Sequence, residues 1–105
     1  MPELIDGAKV RMGGKEWIVP ALSFRQLKKL LPKINMLNIG ELTVETMDSI
    51  TEVVHAAISR NYPELSVDDV ADMLDVRAAP AVFMAIMGES GLEATSQGEA
   101  PEGGR

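Results

Sequence analysis

The stretch NYPELSVDDV, residues 61–70, decides how the rest of the chain is read. An apolar-periodic segment runs into Asn61-Tyr62, and Pro63 pushes the residue before it out of the helical region, so a helix must end here. Four residues on, Ser66 stands where a new helix wants its N-cap. Asp68 and Asp69 follow where the positive end of a helix dipole favours carboxylates. The stretch is therefore a corner between two helices, and it sets a mainly helical frame for what lies on either side.

Working back from the corner, the long helix is expected over about residues 44 to 61, with the apolar stripe Met47, Ile50, Val54 and Ile58 flanked by Val53 and Ala57. Its start, LTVETM, places Thr43 at the N-cap with Leu42 and Met47 in the hydrophobic-staple positions. LSFRQL repeats the device with Ser23, Leu22 and Leu27, and Gln26 closes a capping box. LSVDDV repeats it again with Ser66, Leu65 and Val70, and Asp69 at the box position. The helix opened by Ser23 is read with Phe24, Leu27, Leu31 and Ile34 on one stripe and Arg25, Lys28, Lys29 and Lys33 elsewhere. Pro32 is expected to bend or end it near Leu31.

Before these helices, VRMGGKEWIVP reads as a β-hairpin. Gly13-Gly14 supplies the positive φ angles of a two-residue turn. Pairing outward sets Met12 opposite Lys15, Arg11 opposite Glu16 and Val10 opposite Trp17. Ala8, Val10, Met12, Trp17 and Val19 then share one face, while Lys9, Arg11, Glu16 and Ile18 share the other. A lone hairpin is marginal in water, so the Trp17 face must pack on something. After the corner, a short helix is expected to bury Val67, Val70 and Leu74. A last helix starts near Pro80 and runs through AVFMAIM to a stop at Gly88. The expected fold is a mainly α single domain over residues 1–92, with an N-terminal hairpin at 8–20 followed by four helices in a small bundle. Residues 93–105, EATSQGEAPEGGR, hold no bulky apolar side chain and are expected to form a disordered tail.

The totals narrow the function. One domain suits 105 residues, and the absence of cysteine removes disulfides, thiolate metal sites and cysteine nucleophiles together. The start lacks a secretory pattern, and the longest apolar run, AAPAVFMAIM, is about half of the roughly 20 residues of a membrane span, so a soluble intracellular protein with no membrane partner is expected. Net charge is −6 but unevenly placed: residues 1–34 hold seven Lys/Arg against three Asp/Glu, and residues 35–105 hold three against thirteen. Such polarity suits head-to-tail self-association or a charged partner.

The chemistry-bearing residues point away from catalysis. His55 is the sole histidine, and no nucleophile-elbow motif accompanies it. Glu52-Val53-Val54-His55 matches the Glu-x-x-His spacing of di-iron bundles, but such a site needs two of these motifs and two more carboxylates. Only a symmetric dimer supplies them. Asp68, Asp69, Asp72 and Asp75 lack the alternate spacing and bend glycine of a calcium loop and read as a solvated face. Gly88-Glu89-Ser90-Gly91 follows a helix and so does not cradle phosphate. A helix-turn-helix reading of the corner fails on charge, because residues 64–76 hold five acids and no Lys or Arg. The basic first helix, with Phe24 assigned to the apolar stripe, lacks interleaved aromatics, so no nucleic-acid partner is expected. No catalytic, metal-binding or cofactor-binding residue is assigned. Met73, Met84 and Met87 cluster near the C-terminal helices, where flexible thioethers suit either a core or an adaptable interaction surface.

The order of these elements is similar to that of a known family. GGKEWIVPALS followed by FRQLKKLLPKI resembles the N-terminal half of the tail assembly chaperones of long-tailed bacteriophages. VVHAAISRNYPELSVDDVADMLDV followed by AVFMAIMGESGL resembles their second half, with its aromatic-Pro corner, short acidic helix and Gly-x-Ser-Gly-like close. The likeness spans about residues 8 to 92 and carries fold, not chemistry. It implies a non-enzymatic protein of the host bacterial cytoplasm. Such a protein binds the tape measure protein, helps recruit tail tube subunits, and is absent from the mature virion. Many members of that family are also made in a second, longer form by frameshifting, with which a flexible C-terminal tail such as TSQGEAPEGGR is compatible. On that reading the chain forms a homo-oligomer, and its exchangeable apolar surface is expected to comprise Trp17, Phe24, Leu27, Met73, Phe83, Met84 and Met87. Two other readings stay open: a small DNA-binding regulator from a mobile element, and a structural head–tail or tail virion subunit.

Overall fold

The computed structural model describes residues 4–38 and 40–91. The element order is β1 (Gly7–Met12), β2 (Lys15–Pro20), α1 (Phe24–Met36), α2 (Val44–Ile58), α3 (Val67–Met73) and α4 (Ala79–Glu89). A hairpin followed by four helices is the expected architecture; the expected disordered tail at 93–105 lies outside the described residues.

The hairpin forms in the register that its side-chain alternation dictates, with Met12 opposite Lys15, Arg11 opposite Glu16 and Val10 opposite Trp17. Gly13 and Gly14 take φ of 61° and 79°, the two positive angles that a tight primed turn demands. Val10, Met12, Trp17 and Val19 are buried, and the Trp17 Nε1–H donates 3.0 Å to the Met12 carbonyl, so the indole enters the core with its polar atom satisfied.

Helix α2 is the hub. It packs against β2, α1, α3 and α4, and it buries Ile50, Val53, Val54, Ala57 and Ile58. Helix α4 lies between α2 and the hairpin, which is why its sequence is apolar nearly all round; Val82, Phe83, Ile86 and Met87 are buried. Helix α2 stops at Ile58, earlier than the expected 61, because the amides of Arg60 and Asn61 tighten onto carbonyls three residues back before Pro63 intervenes.

That corner also fastens the hairpin. The Tyr62 hydroxyl accepts 3.1 Å from the Ile18 amide, and its ring meets Trp17 edge-on with centroids 4.9 Å apart. The Asn61 carboxamide accepts from the Ile5 amide at 2.7 Å and donates to the carbonyls of Ile5 and Ile18 at 2.9 and 2.8 Å.

Four local expectations are corrected. The core-facing side of α1 is Leu27, Leu30 and Ile34, while Phe24 is 89% exposed and Leu31 lies outside. The rotation is fixed by tertiary bonds: Gln26 Nε2 donates 2.8 Å to the Ala56 carbonyl, and Lys33 pairs with Glu52. Both draw the Gln26 and Lys33 side of α1 toward α2, which brings Leu30 in and swings Phe24 and Leu31 out. Pro32 neither ends α1 nor stops it short of Met36; it sits on the exposed side, where water can reach the carbonyl that loses its amide partner. Val67 is 46% exposed at the first position of α3, which turns only Val70 fully inward. Gly88 lies inside α4, and the positive φ that closes the helix belongs to Gly91.

The corner bonds define a test of the fold. Tyr62→Phe keeps the ring contact and removes one acceptor, so a loss of about 1 kcal/mol is expected; Asn61→Ala strips three bonds and should cost about 2 kcal/mol. Urea denaturation followed by circular dichroism measures both, and wild-type midpoints for the two variants would mean that the corner does not hold the hairpin.

Candidate functional site

The polar residues singled out by chemistry are held by structural roles. His55 Nε2 lies 3.0 Å from the Leu65 carbonyl, which can only accept, so this nitrogen carries the proton and donates across the corner. Glu52, three residues earlier, turns to Lys33 on α1. The Glu-x-x-His match therefore does not converge on a common point. Among the described residues, no group of three or more His, Cys, Asp or Glu could hold a metal ion. Ser66 and Asp69 are consumed by a complete capping box at the start of α3, with both bonds at 3.0 Å.

The residues expected to form an exchangeable apolar surface do not form one. Trp17, Phe83 and Met87 are buried in the core, and Leu27 and Met73 are half-buried against it. Met73 packs under the hairpin turn, close enough that a Cβ on Gly13 would lie 3.0 Å from its Cγ. Met84 is 39% exposed on α4, and only Phe24 stands fully in solvent. Phe24 has exposed Arg25, Lys28 and Lys29 as neighbours, so the basic face of α1 does carry an aromatic, contrary to the sequence reading.

Exposed apolar surface gathers elsewhere. An open groove of about 580 Å³ runs between the first turns of α2 and the link from α3 to α4. Ile50 and Leu74 contribute to its lining from the core side, and Leu42, Val44, Met47 and Val76 line it while remaining exposed. Local geometry explains why these side chains stay open. Thr43 caps α2 by accepting from the Thr46 amide at 3.0 Å, which sets Leu42 and Met47 at the staple positions beside the groove. Val76 sits in the α3–α4 link, held out by the turn in which Asp75 Oδ1 accepts from the amides of Arg77 and Ala78 at 3.0 and 2.8 Å. The two charged residues that line the groove are Asp48 and Asp75, both acidic.

Sequence reading missed this site because its walls come from three separate segments. One signal was present: Val76 stands between Asp75 and Arg77 in a connector, where an apolar side chain gains no burial from helix periodicity. Chemically, the groove can shelter a strip of aliphatic side chains beside two carboxylates. No helix among the described residues is long and apolar enough to cross a membrane.

The chain matches no family model, no curated protein sequence and no solved structure.

A structural role for His55 makes a specific demand. His55→Ala orphans the Leu65 carbonyl and should lower stability by about 1 kcal/mol, while Glu52→Gln, at an exposed ion pair, should change it by less than about 0.5 kcal/mol. Denaturation with and without added zinc checks this; a zinc-dependent gain in stability that either substitution removes would restore the pair as ligands.

Proposed function

We propose that the protein is a non-catalytic helix-binding chaperone of bacteriophage tail assembly, which shelters apolar stretches of the tape measure protein and helps bring tail tube subunits to it in the host cytoplasm. The observation that carries this reading is the open groove itself: Leu42, Val44, Met47 and Val76 stay in solvent on a scaffold whose core is otherwise closed around α2. An amphipathic helix laid into an apolar groove is an established mode of recognition, and the exposed strip between α2 and the α3–α4 link suits one helix face. Met47, unbranched and polarisable, lets such a groove adapt to successive segments of a long partner.

The order of elements supports the same reading. A hairpin, a basic first helix, a long helix closing on Tyr62-Pro63, a short acidic helix and a final helix follow one another as the likeness to tail assembly chaperones implies. Self-association is also part of the proposal, since it gives the apolar groove cover when no partner is present.

Co-expression with the tape measure protein of the same genome tests the reading. Affinity capture of this chain should retain the tape measure protein in soluble form. Val44→Asp and Val76→Arg, both at exposed positions, should weaken capture about tenfold, the factor that 1.4 kcal/mol represents. Wild-type secondary structure in both variants confirms that only the groove was changed. An aggregated tape measure protein that is not retained sinks the proposal; salt-sensitive retention on DNA would favour a regulator, and presence in mature particles a virion subunit.

A further inference from the structure

The groove carries a charge pattern that specifies its occupant more narrowly than apolar area does. Asp48 approaches it from α2 and Asp75 from the α3–α4 link, so carboxylates stand on two different walls. Among the described residues, no Lys or Arg lines it. Asp75 is also positioned in advance: its Oδ1 accepts from the Arg77 and Ala78 amides, which fixes the carboxylate and leaves Oδ2 outside those two bonds.

We propose that the groove selects a helix of another protein whose aliphatic strip is flanked by Lys or Arg, with Asp48 and Asp75 acting as a clamp on the cationic flanks. This rests on the groove being the helix-binding site. The aliphatic strip supplies area, and the two carboxylates supply orientation and discrimination, because like charges brought to this rim are repelled while cations are drawn in. Acidic-flanked helices of equal hydrophobicity are thereby refused.

The chain's own α1 has matching chemistry in Phe24, Lys28 and Leu31. It cannot fill the groove of its own molecule. Gln26 and Lys33 hold α1 on α2 at Ala56 and Glu52, neither of which lines the groove. The remaining occupants are a foreign helix and a second copy, and experiment separates them.

Three synthetic helical peptides with one shared Leu strip and Lys, Gln or Glu at the flanks, titrated against the full chain by fluorescence anisotropy, provide the test. The Lys-flanked peptide should bind about tenfold tighter than the Glu-flanked one in low salt, and the gap should narrow as the screening length falls to about 3 Å near 1 M salt. In Asp48→Asn/Asp75→Asn the gap should close; Asn keeps the oxygen that accepts from Arg77 and Ala78, so the turn survives. Equal binding of all three peptides, a gap that persists in the double variant, or no binding at all would overturn the clamp. Concentration-dependent self-association that both Phe24→Ala and Val76→Arg abolish, and that the Lys-flanked peptide does not displace, would make a second copy the occupant of the groove and overturn the assignment to a foreign helix. The outcomes remain separable from those of the chaperone reading. A captured tape measure protein with no Lys-over-Glu preference defeats only the clamp, and a clear preference with no capture defeats only the chaperone assignment.

Discussion

The bonds between the Asn61-Tyr62 corner and the hairpin are the constraint on which the rest depends. A two-stranded hairpin cannot persist alone in water, and a seven-residue helix such as α3 cannot either. The corner joins both to α2 at one place. Asn61 and Tyr62 satisfy backbone groups of Ile5 and Ile18, while His55, about two turns earlier on α2, fastens the far side of the corner through Leu65. The bonds to Ile18 and Leu65 are partly buried, so losing one partner there costs more than at Ile5, where water can take its place.

With that end closed, α2 divides the molecule into two sides of different character. Toward its C-terminus it meets the hairpin and α4, and the side chains there are almost wholly excluded from water. Toward its N-terminus the packing stops short, and Leu42, Val44 and Met47 remain uncovered opposite Val76. Rigid scaffold and open groove are thus two ends of one helix. The exposed side chains of the groove are not among those that hold the hairpin, so the two ends are built independently.

How much of this was legible in the sequence depended on the range of the interaction involved. The hairpin register follows from alternation and a Gly-Gly turn, and the caps at Ser23, Thr43 and Ser66 follow from contacts within four residues; all stand where local rules put them. The rotation of α1 was not legible, because Leu27, Leu30 and Leu31 are equivalent to a helical pattern, and a bond from Gln26 to a carbonyl thirty residues away chooses among them. The same limit explains the misplaced interaction surface. Trp17, Phe83 and Met87 are the sort of side chains that interfaces use, but also the sort that cores use, and α4 wedged between hairpin and α2 takes them inside. The groove depends on Leu42, Met47 and Val76 meeting in space, which no single segment announces.

The sole tryptophan sits edge-on to Tyr62 with the Lys15 ammonium 4.8 Å above its ring, at the seam between hairpin and corner and apart from the groove lining. Its emission is therefore an intrinsic optical gauge of one event, the parting of strand from helix. Red-shifted fluorescence marks that separation, since the buried indole then meets water. The integrity of that seam can be followed without adding a dye to the chain.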